Sequence, residues 1–191
     1  PEFPFLCLTV SGGHTQLTLV RDYLDMEIIG KTKDDAAGEA FDKGAKMLGL
    51  PYPGGPMIDK LAKSGDPAFH LFPKSDVGGY DFSFSGIKTS LLYTIRDGMK
   101  VDAEYLTKNL SDLCASYQRR IIDSLLDKTR AAAKAYQVKH IAVAGGVSAN
   151  SELRKRFLEL SQKHKWTAHI PDFEYCTDNA GMIAIAAYYK Y

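Results

Sequence analysis

A chain of 191 residues, 45% hydrophobic and 25% charged, has the size and composition of one medium globular domain, or of one domain and a small extension. Its net charge of +1 argues against a strongly electrostatic nucleic-acid footprint, and no apolar run approaches the roughly 18 residues that span a membrane. Cys7, Cys114 and Cys176 are scattered, odd in number and free of C-x-x-C spacing; they read as reduced thiols, which with the lack of a signal peptide points to the cytoplasm.

Pro1-Glu2-Phe3-Pro4 leads straight into a strand pattern without a Met, and Met182–Tyr191 is apolar and uncapped, so the chain reads as a piece of something longer. Phe5–Val10, Gln16–Arg21 and Met26–Thr32 are short apolar or alternating runs, predicted as three antiparallel strands with a turn at Asp22–Asp25. Lys33–Leu50 changes to a helical period, with Ala36, Ala37, Ala40, Phe41, Ala45 and Leu48 on one face. Pro51-Tyr52-Pro53-Gly54-Gly55-Pro56 follows as a rigid irregular loop, then a short helix over Met57–Lys63. Phe69–Ser85 reads as an aromatic loop, and Gly86–Arg96 and Ala103–Tyr136 as helices. The longer of these places Leu106, Leu110, Leu113, Tyr117, Ile121, Leu125 and Ala132 on a face. Lys139–Ala144 is predicted as a strand buried on both sides, Ala149–Lys163 as a helix and Thr167–Ile170 as a strand. A last helix, Thr177–Lys190, opens on the cap signal Thr177-Asp178-Asn179. Strands at both ends with helices between them indicate a mixed α/β layer. The basic clusters Arg119-Arg120 and Arg154-Lys155-Arg156 fall in helical patterns and read as solvated faces.

Two glycine turns stand out. Val10-Ser11-Gly12-Gly13-His14-Thr15 joins two strand runs, and Ala144-Gly145-Gly146-Val147-Ser148-Ala149-Asn150 joins a strand to a helix. Adjacent glycines let backbone N–H groups approach a bound anion, so the pair suggests two walls of a nucleotide site. A Gly-Gly hairpin is the alternative reading of the first turn, although Ser11, His14 and Thr15 are unusual company for an apolar hairpin; His14 also fits a hydrogen-bonded core histidine. In the second turn the helix start directs N–H donors and the positive helix end toward a ligand. Asn150 reads equally as an amide for an adenine or ribose edge and as a helix N-cap. Neither G-x-G-x-x-G nor a P-loop is present.

Asp34-Asp35-Ala36-Ala37-Gly38-Glu39-Ala40-Phe41-Asp42-Lys43 is the richest acidic segment. Asp35, Glu39 and Asp42 recur at helical spacing on one face, which suits ribose hydroxyls, a substrate amine or a metal-bound water; Asp34 and Asp35 also suit a helix start. Among His14, His70, His140, His164 and His169 no metal-ligand spacing occurs.

Taken with Tyr52-Pro53-Gly54-Gly55-Pro56, Asp81-Phe82-Ser83-Phe84-Ser85-Gly86-Ile87-Lys88-Thr89 and Thr177-Asp178-Asn179-Ala180-Gly181-Met182-Ile183, these segments resemble the tRNA N6-adenosine threonylcarbamoyltransferase family, once labelled glycoprotease or O-sialoglycoprotein endopeptidase. His14 and the Asp-Asp-Ala-Ala-Gly-Glu form resemble its bacterial branch. The resemblance implies the second lobe of an actin/Hsp70/sugar-kinase-like (ASKHA), ribonuclease H-like α/β fold with inserted helices, the first lobe and a C-terminal tail being absent. It implies transfer of threonylcarbamoyl from threonylcarbamoyl-AMP to N6 of adenosine 37 in tRNAs that read codons starting with A. Thr9, Val10, Ser11, Gly12 and Gly13 match the stretch lining the substrate phosphate, Asp42 and Gly55 match substrate contacts, Asp59 a ribose contact, and Asn150 a position beside the nucleotide. Asp178 matches the aspartate that ligates a divalent iron or zinc ion. The family's two metal-binding histidines precede the first glycine turn, in a segment this sequence lacks, so the chain is expected to be inactive alone and not to retain the metal. Implied partners are tRNA, a paralogous non-catalytic subunit and a small ATPase subunit, with no membrane. A non-catalytic scaffold lobe and an ATP-dependent kinase of the same superfold are the alternatives.

Overall fold

The computed structural model describes residues 1–75, 77–177 and 180–191. Its centre is a five-stranded sheet in the order β3-β2-β1-β4-β5, built from β1 (Phe5–Val10), β2 (Thr15–Val20), β3 (Met26–Lys31), β4 (His140–Ala144) and β5 (Thr167–His169). The first three strands are antiparallel, as their alternating runs predict, whereas β4 and β5 run parallel to β1. Alternation sends Leu6, Leu8, Val10, Ile141 and Val143 into the core. β4 is not buried on both sides as its apolar sequence suggests. Its second face carries His140, Ala142 and Ala144, all half-buried, because two alanines offer little side chain for a covering layer to pack on.

Seven helices complete the described fold: α1 (Ala37–Met47), α2 (Gly54–Ala62), α3 (Ser85–Val101), α4 (Tyr105–Lys108), α5 (Leu110–Ala135), α6 (Ser151–His164) and α7 (Ala180–Lys190). The α1 face read from the sequence is the one that is buried, with Ala36, Ala37, Ala40, Phe41, Ala45 and Leu48 all in the core. Tyr117 on α5 is fully buried and its hydroxyl donates to the Ala40 carbonyl oxygen at 2.8 Å, with Gly44 leaving the space that the ring fills. The single helix expected over 103–136 is instead two. Asn109 interrupts it, its side-chain amide donating to the Tyr105 carbonyl oxygen at 2.8 Å, the local competition that makes Asn a poor helix-interior residue. α7 is exposed along its length, and Tyr189 near its end stacks on Tyr23 at 3.6 Å between ring centroids. The cap proposed for this helix includes Asp178 and Asn179, which lie outside the described residues. Among the described residues no helix is long and apolar enough to cross a membrane.

Candidate functional site

Parallel pairing of β1 with β4 puts Thr9 opposite Ala144, so the two glycine turns leave neighbouring strands at the same end of the sheet. In open α/β sheets the carboxyl ends of parallel strands are where ligand crevices form. Each turn is shaped by close backbone approaches. Gly145 has φ +90°, and a Cβ there would strike the Val10 carbonyl. Gly38, at the start of α1, donates its N–H to the Ser11 carbonyl oxygen at 3.1 Å; a Cβ on it would sit 2.6 Å from that oxygen and 2.7 Å from the Gly12 nitrogen. Gly12 and Gly13 differ: a Cβ on either meets nothing within 4 Å, and both face solvent.

The polar residues around the first turn serve the fold itself. Ser11 Oγ accepts from the His14 N–H at 2.9 Å and the Gly13 N–H at 3.3 Å. Thr15 is buried, and its hydroxyl accepts from the Ala37 N–H at 2.8 Å, satisfying a donor at the start of α1. His14 is exposed and is not a core histidine. Asn150 caps α6: Oδ1 accepts from the Leu153 N–H at 2.9 Å and Nδ2 donates to Gln118 Oε1 at 2.7 Å. Asp59 on α2 accepts from the Ser151 hydroxyl at 2.9 Å and the Ser151 N–H at 3.1 Å, tying α2 to the start of α6.

These elements enclose a cleft of about 570 Å³ lined by Gly12, Asp42, Gly55, Asp59 and Asn150, together with Tyr52, Lys60, Lys63, Gly146 and Thr177. A second cleft of about 540 Å³ adjoins it, lined by Glu39, Lys43, Lys46, Leu50 and Pro51 and sharing Gly12, Asp42 and Tyr52 with the first. Thus five of the positions singled out in the sequence share one cavity wall. Thr9, Val10, Ser11 and Gly13 do not line it: Val10 is fully buried in the core, Thr9 is half-buried on β1, and Ser11 and Gly13 form the turn behind Gly12.

The acidic segment divides by function. Asp34 accepts from the Phe84 N–H at 2.8 Å and the Ser83 hydroxyl at 2.5 Å, fixing the start of α3. Asp35 pairs with Lys43 at 2.8 Å and with Lys88, and Lys43 also reaches Glu39 at 2.7 Å. Burial pushes the Asp35 carboxyl up, but the hydrogen bonds and charges of Lys43 and Lys88 outweigh it and hold the group below the usual carboxylate range. Asp42 stands apart from this network. Its Oδ1 accepts from the Gly54 N–H at 2.8 Å, and among the described residues Oδ2 has no partner. The shared face of Asp35, Glu39 and Asp42 is therefore split, because two lysines neutralise the first pair while Asp42 turns to the cleft.

Sequence reasoning missed three kinds of residue here. Lys60 and Lys63 bring positive charge to the cleft, and among the described residues neither makes an ion pair. Tyr52 lines both clefts from a loop read only as rigid. Arg154, read as part of a solvated face, is instead a clamp. Its guanidinium donates to the Ser148 carbonyl oxygen at 3.1 Å and the Pro171 carbonyl oxygen at 2.7 Å, and lies 4.3 Å from the Phe173 ring centroid. Cys176, buried beneath it, takes a hydrogen bond from the Ser148 hydroxyl at 3.2 Å. The clamp holds the second glycine turn against the segment that ends at Thr177. Asp178, the metal ligand expected from the sequence, lies outside the described residues. Among the described residues no group of three or more His, Cys, Asp and Glu could hold a metal ion, so they do not by themselves make a metal site.

A central strand with antiparallel neighbours on one side and parallel ones on the other, and a cleft at its carboxyl end, define a ribonuclease H-like α/β fold of the actin/Hsp70/sugar-kinase type. The crystal structure of full-length HypF in its phosphate- and nucleotide-bound form shares this fold, with a TM-score of 0.66 over 88% of this chain and 36% of that chain at 11% identity. A family model described as tRNA N6-adenosine threonylcarbamoyltransferase matches residues 1–185, and the chain belongs to that family. Proteins of that description from Cytophaga hutchinsonii and Porphyromonas gingivalis are 54% and 56% identical to it over its whole length. The chain spans 56% of the length of each of these curated relatives.

Proposed function

We propose that the chain is the second lobe of a bacterial enzyme that transfers threonylcarbamoyl from threonylcarbamoyl-AMP to N6 of adenosine 37 of tRNA. The observation that carries this reading is the convergence of Gly12, Asp42, Gly55, Asp59 and Asn150, from four separate segments, on one cleft large enough for an adenylate. Within it the open backbone at Gly12, with Lys60 and Lys63, which make no ion pair among the described residues, suits the phosphate of an acyl adenylate. The free Oδ2 of Asp42 suits a hydroxyl donor on the threonyl moiety. Asn150 and Asp59 act on the nucleotide side as positioning residues, since their side chains hold α6 and the second glycine turn in place.

In the reaction the N6 nitrogen attacks the carbamoyl carbon, the bond from that carbon to the phosphate oxygen breaks, AMP leaves with the electron pair, and N6 gives up a proton. The residues of this lobe bind and orient the donor for that attack. The divalent iron or zinc belongs, in this reading, to the longer protein, with Asp178 the ligand from this chain. The paralogous subunit, the small ATPase and the cytoplasmic location belong to the same proposal. Titration calorimetry of the chain with threonylcarbamoyl-AMP, AMP and ATP tests it. Saturable binding of the first two, weakened in Asp42→Ala for threonylcarbamoyl-AMP more than for AMP, is the expected result. Preference for ATP over both adenylates favours the kinase alternative and overturns the reading, as does failure of all three to bind, which leaves a scaffold lobe.

A further inference from the structure

The second cleft adjoins the first, and Lys46, Leu50 and Pro51 on its wall have no part in the donor site proposed above. The two clefts meet at Gly12, Asp42 and Tyr52, so a group bound in one faces a group bound in the other across the Asp42 carboxylate. Tyr52 lines both of them. The residue is 85% exposed, and its ring stacks on no other ring in the described structure. A large aromatic left in water gains nothing for folding. Its backbone is held with little freedom: Pro51 and Pro53 flank it, the Leu50 N–H donates to the Ala45 carbonyl oxygen at 2.9 Å on one side, and Gly54 is pinned by Asp42 on the other. A solvent-facing ring on a constrained backbone, shared by two clefts, is a surface prepared for a planar ligand.

The charges around the second cleft indicate which planar ligand. Glu39 and Asp42 are the acids on its wall, and Lys43 neutralises Glu39. Lys46, also on that wall and exposed, makes no ion pair among the described residues. An aromatic ring with an uncommitted lysine beside it is the combination that binds an unpaired nucleobase and its backbone phosphate. A protein partner would need an acidic group placed opposite Lys46, whereas an RNA strand carries a phosphate next to every base.

We propose that Tyr52 is a stacking platform for an unpaired nucleobase of the acceptor RNA seated in the second cleft, with Lys46 meeting a phosphate of the same RNA. This rests on the acyl-transfer reading above and adds to it where the acceptor enters. The acceptor base would then sit beside Asp42 in the second cleft, while Lys60 and Lys63 line the first cleft alone.

The test is fluorescence anisotropy of the chain with a labelled RNA stem-loop whose loop presents an unpaired adenosine, read across a salt series. Tyr52→Ala is expected to weaken binding by roughly five- to a hundred-fold, and Tyr52→Phe, which keeps the ring, to stay near the parent. Lys46→Ala is expected to lower the slope of log affinity against log salt by about 0.7, the loss of one single-strand phosphate contact. Tyr52 and Lys46 are both exposed, so these variants fold as the parent does. Equal RNA affinity for the parent, Tyr52→Ala and Lys46→Ala overturns the proposal and leaves Tyr52 to a protein contact, and so does an absence of RNA binding by the parent. Titration of the parent with threonylcarbamoyl-AMP, AMP and ATP is the separate arm: if none of the three binds, the donor reading falls, whatever the RNA result.

Discussion

Gly12 and Gly38 are neighbours at the first glycine turn and are glycine for opposite reasons. Gly38→Ala would put a methyl 2.6 Å from the Ser11 carbonyl oxygen, where ordinary contact begins near 3.4 Å, so α1 and the turn must separate by about 0.8 Å. Both atoms it meets are backbone, so no side-chain rotation relieves the clash. Overpacking of this kind costs about 1–3 kcal/mol, offset by up to ~1 kcal/mol of helix propensity. The net loss of roughly 0–3 kcal/mol, toward the upper end because both clashing atoms are backbone, corresponds to a melting temperature up to about 12 °C lower for a chain of this size. Gly12→Ala meets nothing within 4 Å and its φ does not lie in the left-handed region, so its stability should match the parent or exceed it by up to ~1 kcal/mol. Yet the same methyl stands on the cleft wall and should weaken AMP binding. Thermal unfolding by circular dichroism, with AMP titration of each variant, separates the two. Destabilisation of Gly12→Ala equal to that of Gly38→Ala, or unaltered AMP affinity in Gly12→Ala, would refute the reasoning.

Asn150→Ala removes an N-cap, about 1 kcal/mol, and leaves the buried Gln118 amide without its partner, about 1–3 kcal/mol more; urea unfolding should show a loss of roughly 2–4 kcal/mol, and Asn150→Asp should recover the cap's share. The pH dependence of stability should fall in two stages. His169 is held below its ordinary value of 6.5 by burial first and then by nearby positive charge, so it binds its proton more weakly folded than unfolded, and stability is lost as pH drops below 6.5. The lowered Asp35 carboxyl contributes fully above its ordinary 3.8 and that contribution disappears as pH falls through its lowered folded value. Asp35→Asn should flatten this second, acidic stage in a pH series of denaturant midpoints and leave the first unchanged; an acid limb identical to the parent's would show that the Lys43 and Lys88 pairs add nothing.

Much of the fold was legible because its signals are local. Period-2 runs marked β1 to β3, and the small-residue stripe from Ala36 to Leu48 marked the buried face of α1. What failed were readings that depend on long-range partners. Arg154 sits in a run of three basic residues that resembles a solvated face, and only the approach of Pro171 and Cys176 gives its guanidinium a buried task. Asp35 and Asp42 share a helical spacing, but Lys88, 53 residues away in sequence from Asp35, decides that one is neutralised while the other stays available to the cleft. Tyr52 carried no signal beyond its proline-rich loop, since exposure of an aromatic ring is a property of the folded surface.

The proposal that the two glycine turns, Asp42 and the α2–α6 contact form one donor site is open to residue-resolved NMR of the isotope-labelled chain titrated with threonylcarbamoyl-AMP. Saturating shift changes are expected at the amides of Gly12, Gly54, Gly55 and Gly146, with none at His140, Lys165 or Trp166 on the far end of the sheet. Shifts concentrated at that far end, or a titration that leaves Gly12 and Gly55 unmoved, would contradict it.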